Sequence, residues 1–221
     1  MPEARLTAGT IHYEDSGGEG FPLVLLHGLA MDSRLWGEVV PQLTPDFRCI
    51  APTLPLGSHR EAMKPEADLS LRGLGRLVAE FIESLGVDSV TLCFSDWSGA
   101  QPMVADGLLG GVDALILVSC ETEGNYPPGL AGRAAGLSAK LPGGLSLMRQ
   151  MLLRPWSRRL PFIYGQMSKR GVPDELMREW LEPLHRAEIR RDLRSTRATS
   201  NRASAIWRPR PSRLAASSAL S

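Results

Sequence analysis

Acidic residues run out before the chain does. None follows Asp192, whereas Arg194, Arg197, Arg202, Arg208, Arg210 and Arg213 all do. Over the whole chain this bias cancels, because 25 Lys and Arg against 24 Asp and Glu leave a formal net charge of +1. A balance so close to zero gives no global electrostatic reason to expect nucleic acid or an anionic membrane as partner. No apolar run approaches the length of a membrane span, and residues 1–10 lack the basic segment and apolar core of a signal peptide. Cysteine is scarce: Cys49, Cys93 and Cys120 are an odd number, each at or near the end of an apolar run. They read as buried, reduced thiols of a cytoplasmic protein rather than a disulfide framework. Cys and His show no paired metal-ligand spacing, so neither a metal nor a cofactor is expected. Histidine is limited to His12, His27, His59 and His185, and tyrosine to Tyr13, Tyr126 and Tyr164.

What remains is ordinary for a globular protein: 221 residues, 43% hydrophobic and 22% charged. That length suits one α/β domain with an insertion. Residues 5–16 alternate as one or two short strands, and Pro22 to Leu26 is a continuous apolar run, as in a strand buried on both faces. Asp32-Ser33 predicts the start of a helix through about Leu43, and Phe47 to Ala51 predicts another strand. Residues 56–67 read as loop. Asp68-Leu69-Ser70 then opens a long amphipathic helix, whose buried face is Leu71, Leu74, Leu77, Val78, Phe81, Ile82 and Leu85, with Gly86 at its C-terminal cap. A strand over 89–94, a helix over 98–109 and a strand over 114–118 follow. Strands alternating with helices predict an α/β fold with a mostly parallel sheet flanked by helices.

After Cys120 the pattern changes. Residues 126–192 show helical stretches punctuated by prolines, with Pro173-Asp174-Glu175 as a helix start. The expected organisation is a core over 1–125, a helical cap over 126–194, and a tail over 195–221 that is disordered or aberrant. The arginine-rich tail has no aromatic interleaving beyond Trp207, so nucleic-acid binding rests on charge alone.

The chemistry centres on Val90 to Ala100. An apolar run ends in Ser95-Asp96-Trp97, and small residues then open a helix, the grammar of a strand turning sharply to hold one side chain at the apex. With Asp96 there, a carboxylate can attack a tetrahedral carbon and form an alkyl ester. Ser98 and Gly99 supply the small residues such a turn needs; Phe94, two before Asp96, does not. The plain structural alternative is that Asp96 caps the helix after it. His27-Gly28 after a buried strand is a second marker: the backbone N–H groups of Leu29 and Trp97 could converge as an oxyanion hole. His27 itself reads as a structural hydrogen-bonding residue. A nucleophilic Ser95 or Ser98, giving an acyl esterase, is a further alternative.

These residues resemble the α/β-hydrolase superfamily, in the branch of haloalkane dehalogenases and epoxide hydrolases. Phe94-Ser95-Asp96-Trp97-Ser98-Gly99 is similar to that branch's Gly-x-Asp-Trp-Gly-Gly elbow, and His27-Gly28-Leu29-Ala30 to its His-Gly-x-Pro motif. Pro52 to His59 loosely resembles its Pro-Asp-x-x-Gly-x-Gly segment. The resemblance implies a small-molecule substrate, attack by Asp96, and substrate contacts from His27, Trp97 and the cap residue Tyr164. It also implies a second carboxylate and a base. Glu121, with Glu123 beside it, lies where some dehalogenases keep the acid. The branch's catalytic His follows a terminal strand, and none of the four histidines here is so placed. Leu29 stands where dehalogenases often put a halide-binding Asn. The expectation is therefore a hydrolase of haloalkane or epoxide type, impaired for want of that His. Its alternatives are a non-catalytic, truncated family member lacking the C-terminal strands, with a frameshifted tail, or a serine esterase.

Overall fold

The computed structural model describes residues 1–120, 129–160, 163 and 171–198. Six strands form one sheet: β1 (Glu3–Leu6), β2 (Gly9–Asp15), β3 (Phe21–Leu26), β4 (Phe47–Pro52), β5 (Val90–Ser95) and β6 (Val112–Val118). Their spatial order is β1-β2-β4-β3-β5-β6. The pairs β1–β2 and β2–β4 are antiparallel, after which β4, β3, β5 and β6 run parallel. The expected α/β architecture with a mostly parallel sheet is thus present.

Alternation along the central strands explains their unbroken hydrophobicity. Val24 and Leu26 of β3, Ile50 of β4, and Leu92 and Phe94 of β5 face one cluster. Helix α2 (Leu71–Ser84) closes that side with Leu74, Leu77, Val78 and Phe81. Leu23, Leu25, Cys49, Ala51 and Cys93 point to the opposite face and pack with Trp36. Both faces are buried, so neither set can be polar. Helix α2 is N-capped by the Ser70 side chain, which accepts from the Gly73 N–H, and ends before Gly86 at φ +63°.

Two expected helices are broken. The segment after Asp32 is a short 3-10 turn, Ser33–Trp36, followed by a separate four-residue helix α1 (Val40–Leu43). Arg34 and Trp180 also bond the Asp32 carboxylate, so this cap is shared with tertiary partners. The helix expected over 98–109 shrinks to α3 (Pro102–Ala105). Gly99 and Gly107 take positive φ at either side, and Pro102 has no N–H to continue an earlier turn.

After residue 128 come α4 (Gly129–Lys140), α5 (Gly144–Leu152), α6 (Pro155–Arg158), α7 (Asp174–Leu181), a 3-10 turn at Pro183–His185, and α8 (Ala187–Ala198). Helix α8 continues past the expected boundary at residue 195, with Thr196 fully buried. These helices share their own cluster of Leu145, Leu152, Met177, Trp180, Leu184, Ile189 and Leu193 with Ala30 and Met31. Leu29 packs against this cluster and the sheet's, so it sits at the seam between them. Among the described residues no helix is long and apolar enough to cross a membrane, and no group of three His, Cys, Asp or Glu could hold a metal ion.

Candidate active site

Parallel pairing sets the geometry. Leu26 of β3 pairs with Phe94 of β5, so the two strands end level and deliver His27-Gly28 beside Ser95-Asp96. Asp96 adopts φ +49°, a left-handed conformation unfavourable for a residue bearing Cβ. Its backbone is held on both sides: its N–H donates to Val118 O at 3.1 Å, and its carbonyl accepts from Gln101 Nε2 at 3.2 Å. The side chain lies half-buried against Gly28, where even a Cβ would collide with the carboxylate. Glycine at 28 is therefore required by close approach. Gly99, at φ +74°, lies close enough to Leu74 that a side chain would overlap it.

Among the described residues, Ala30, Asp96 and Ser119 are the non-glycines with positive φ. They follow β3, β5 and β6 respectively, at the same C-terminal edge of the sheet. Ligands of open α/β sheets bind at that edge, and backbone strain tends to collect at functional positions.

His27 is fully buried and has no free nitrogen. Its Nδ1 donates to Gly28 O at 2.7 Å, and its Nε2 accepts from the Leu54 N–H at 2.8 Å. Burial pushes its pKa down to about 4, against a partial upward pull from the Gly28 carbonyl. It is a neutral tie between two loops. Trp97 is buried within the sheet cluster. Ser98 is fully buried, its hydroxyl unpartnered, and the left-handed apex is Asp96 rather than either serine. Glu121, Glu123, Tyr126 and Tyr164 lie outside the described residues.

The other histidines are engaged elsewhere. His12 Nε2 meets Glu61 Oε1 at 3.0 Å, and His185 Nδ1 donates to Glu182 O at 2.6 Å. Buried His59 bonds Asp192 through Nε2 at 3.2 Å. Sequence reasoning passed over His59, Asp192, Trp180 and Gln101. The one available signal was that Asp192 is the last acid of the chain, in a helix that is otherwise basic there.

Residues 23–217 match the family model described as the alpha/beta hydrolase family. The soluble epoxide hydrolase of Corynebacterium sp. (strain C12) is 35% identical over 99 residues, which cover 44% of this chain and 33% of that protein. The haloalkane dehalogenase of Mesorhizobium japonicum is 32% identical over 91 residues, 41% of this chain and 29% of that one. The matched segment spans about a third of the length of these curated relatives. Among solved structures, the epoxide hydrolase CorEH without ligand superposes with a TM-score of 0.67 at 22% identity, covering 91% of this chain and 74% of that one. A haloalkane dehalogenase loop variant from Bradyrhizobium elkanii gives 0.65 at 18%, covering 93% and 72%. With a family model matched over most of its length and the corresponding sheet beneath it, the chain belongs to the alpha/beta hydrolase family, related to its haloalkane dehalogenases and epoxide hydrolases.

Proposed function

We propose that Asp96 is a nucleophile toward small haloalkane- or epoxide-type electrophiles, and that in this 221-residue chain the reaction stops at the ester. The carrying observation is the left-handed Asp96, presented at the sheet's C-terminal edge with its carboxylate against Gly28. One carboxylate oxygen attacks the substrate carbon; the carbon–halogen bond breaks and halide departs with the electron pair. On an epoxide the carbon–oxygen bond breaks instead, and the alkoxide must find a proton. Helices α4 to α8, which pack on Ala30 and Met31 beside this edge, take the role of a cap, with Leu29 at the junction. The small-molecule substrate would meet Asp96 at this edge, where Leu29 offers no side-chain donor.

Hydrolysis of the ester needs water, a base, and donors for the tetrahedral oxyanion, roles assigned here to the N–H groups of Leu29 and Trp97 and, for the supporting carboxylate, to Glu121. Among the described residues, each of the four histidines that could be the base is engaged elsewhere. His27 has both nitrogens occupied within the backbone, His59 is sealed against Asp192, and His12 and His185 pair with Glu61 and Glu182. Attack without release leaves a stable adduct.

The test is intact-mass analysis after incubation with 1-bromobutane and, separately, with a terminal epoxide. A single adduct mapping to Asp96 and absent from Asp96→Asn supports the reading. Neither adduct nor product with either reagent, or an adduct equally formed by Asp96→Asn, overturns it. Continuous bromide release that is lost in Asp96→Asn, with no adduct accumulating, would overturn the arrest at the ester alone.

A further inference from the structure

Residues 57–63 reach the helical layer at nearly every position. Gly57, at φ +112°, has Leu193 and Leu184 packed where a side chain would begin. The Ser58 hydroxyl donates to Trp180 O at 2.8 Å, and Arg186 donates to the Arg60 carbonyl. Met63 donates its N–H to Asp192 Oδ2 at 2.8 Å and accepts at its carbonyl from Arg191 Nη2, also at 2.8 Å. His59, 3% exposed, meets Asp192, 1% exposed, in the middle of this seam. Every polar atom of the Asp192 carboxylate is used: Oδ2 by His59 and Met63, Oδ1 by the Arg191 guanidinium at 2.6 and 2.9 Å.

We propose that the buried His59–Asp192 contact is an acid-sensitive latch, which holds helix α8 on the 57–63 loop and releases it as pH falls. The inference does not depend on Asp96 being a nucleophile. His59 is held by a single tautomer: Nδ1 faces the Gly57 N–H at 3.4 Å as acceptor, which leaves Nε2 to donate to Asp192. A second proton must go on Nδ1, where a backbone donor already points. The groups facing the ring do not welcome it. Asp192 attracts the charge, but Arg191 and Arg186 oppose it from α8 and its N-terminal flank. The narrow crevice beside the ring is lined by His12, Asp32, Arg34, Arg60 and Glu61, whose charges offset one another.

Burial accordingly holds His59 below its ordinary value near 6.5. The docked helix keeps the ring neutral, whereas an undocked loop lets it protonate normally. Docking is therefore complete above pH 6.5 and weakens as pH falls from there toward the docked value, by at most tenfold per pH unit for one proton. Asp192, held below 3.8 by His59, Arg191 and the Met63 N–H despite its burial, adds its own loss only in stronger acid.

Hydrogen exchange of the full chain between pH 7.5 and 5, corrected for intrinsic rates, tests this. The expected result is that α8 amides lose protection relative to β3 and β5 below pH 6.5, approaching tenfold per unit, and that His59→Gln abolishes this pH dependence. Titration of His27 affects the sheet and α8 alike and cancels in the ratio. A ratio constant with pH, or one equally dependent in His59→Gln, overturns the latch. Should that variant not fold, the His59 ring resonance of the unsubstituted chain decides: a midpoint below 6.5 tracking α8 exchange supports the latch, and titration at or above 6.5 with α8 still protected overturns it.

Discussion

At Asp96, one backbone angle and one missing methyl group do most of the positioning. The left-handed conformation aims the carboxylate back over β3, and only glycine at position 28 leaves room for it. Gly28→Ala is therefore expected to destabilise the fold by about 1–3 kcal/mol, the usual range for inserting a methyl into filled space, and to suppress adduct formation at Asp96. Urea unfolding and intact-mass analysis of the same preparation check both halves. His27 sets a separate, global dependence. Its folded pKa near 4 lies below the ordinary 6.5, so the neutral form is favoured by folding. Stability is full above pH 6.5 and falls on acidification toward pH 4, by on the order of 3 kcal/mol over that window. Chemical denaturation at a series of pH values should show this slope, reduced in His27→Gln.

Single elements were legible in the sequence to the degree that local chemistry was free of distant demands. Helix α2 begins at its capping serine and buries the residues its periodicity named, because Ser70 caps it through the Gly73 N–H nearby in sequence and the leucine stripe packs on the sheet. Ser70→Ala should lower stability by about 1 kcal/mol, measured by thermal or urea unfolding. The strands could be read from continuous apolar runs, and the elbow from the polar trio that ends one of them. The segment after Asp32 was misread because that carboxylate also serves Trp180, 148 residues away. Gly99, Pro102 and Gly107 carried a local warning against a long helix over 98–109. The seam residues were invisible for a different reason: neither His59 in a loop nor Asp192 in a basic helix carries a pattern, and only the tertiary fold pairs them.

For the molecule as a whole, β6, one of the two outer strands among the described residues, is the exposed one. In β6, Leu115, Ile116, Leu117 and Val118 are 37–65% exposed, where β3 and β5 are covered on both faces. An apolar edge strand of this kind invites pairing with other chains. The 221-residue chain is expected to self-associate at micromolar concentration, and Leu117→Lys to raise the monomeric fraction severalfold in sedimentation velocity. An unsubstituted chain that stays monomeric at high concentration would contradict this.

The seam over the 57–63 loop joins positions more than 120 residues apart in the chain. Contacts of such separation close slowly, since much of the intervening polypeptide must be ordered before they repay the lost entropy. Refolding should accordingly finish in two kinetic stages, with the β3–β5 amides guarded first and Trp180 reaching its native fluorescence only when the late-arriving helices settle.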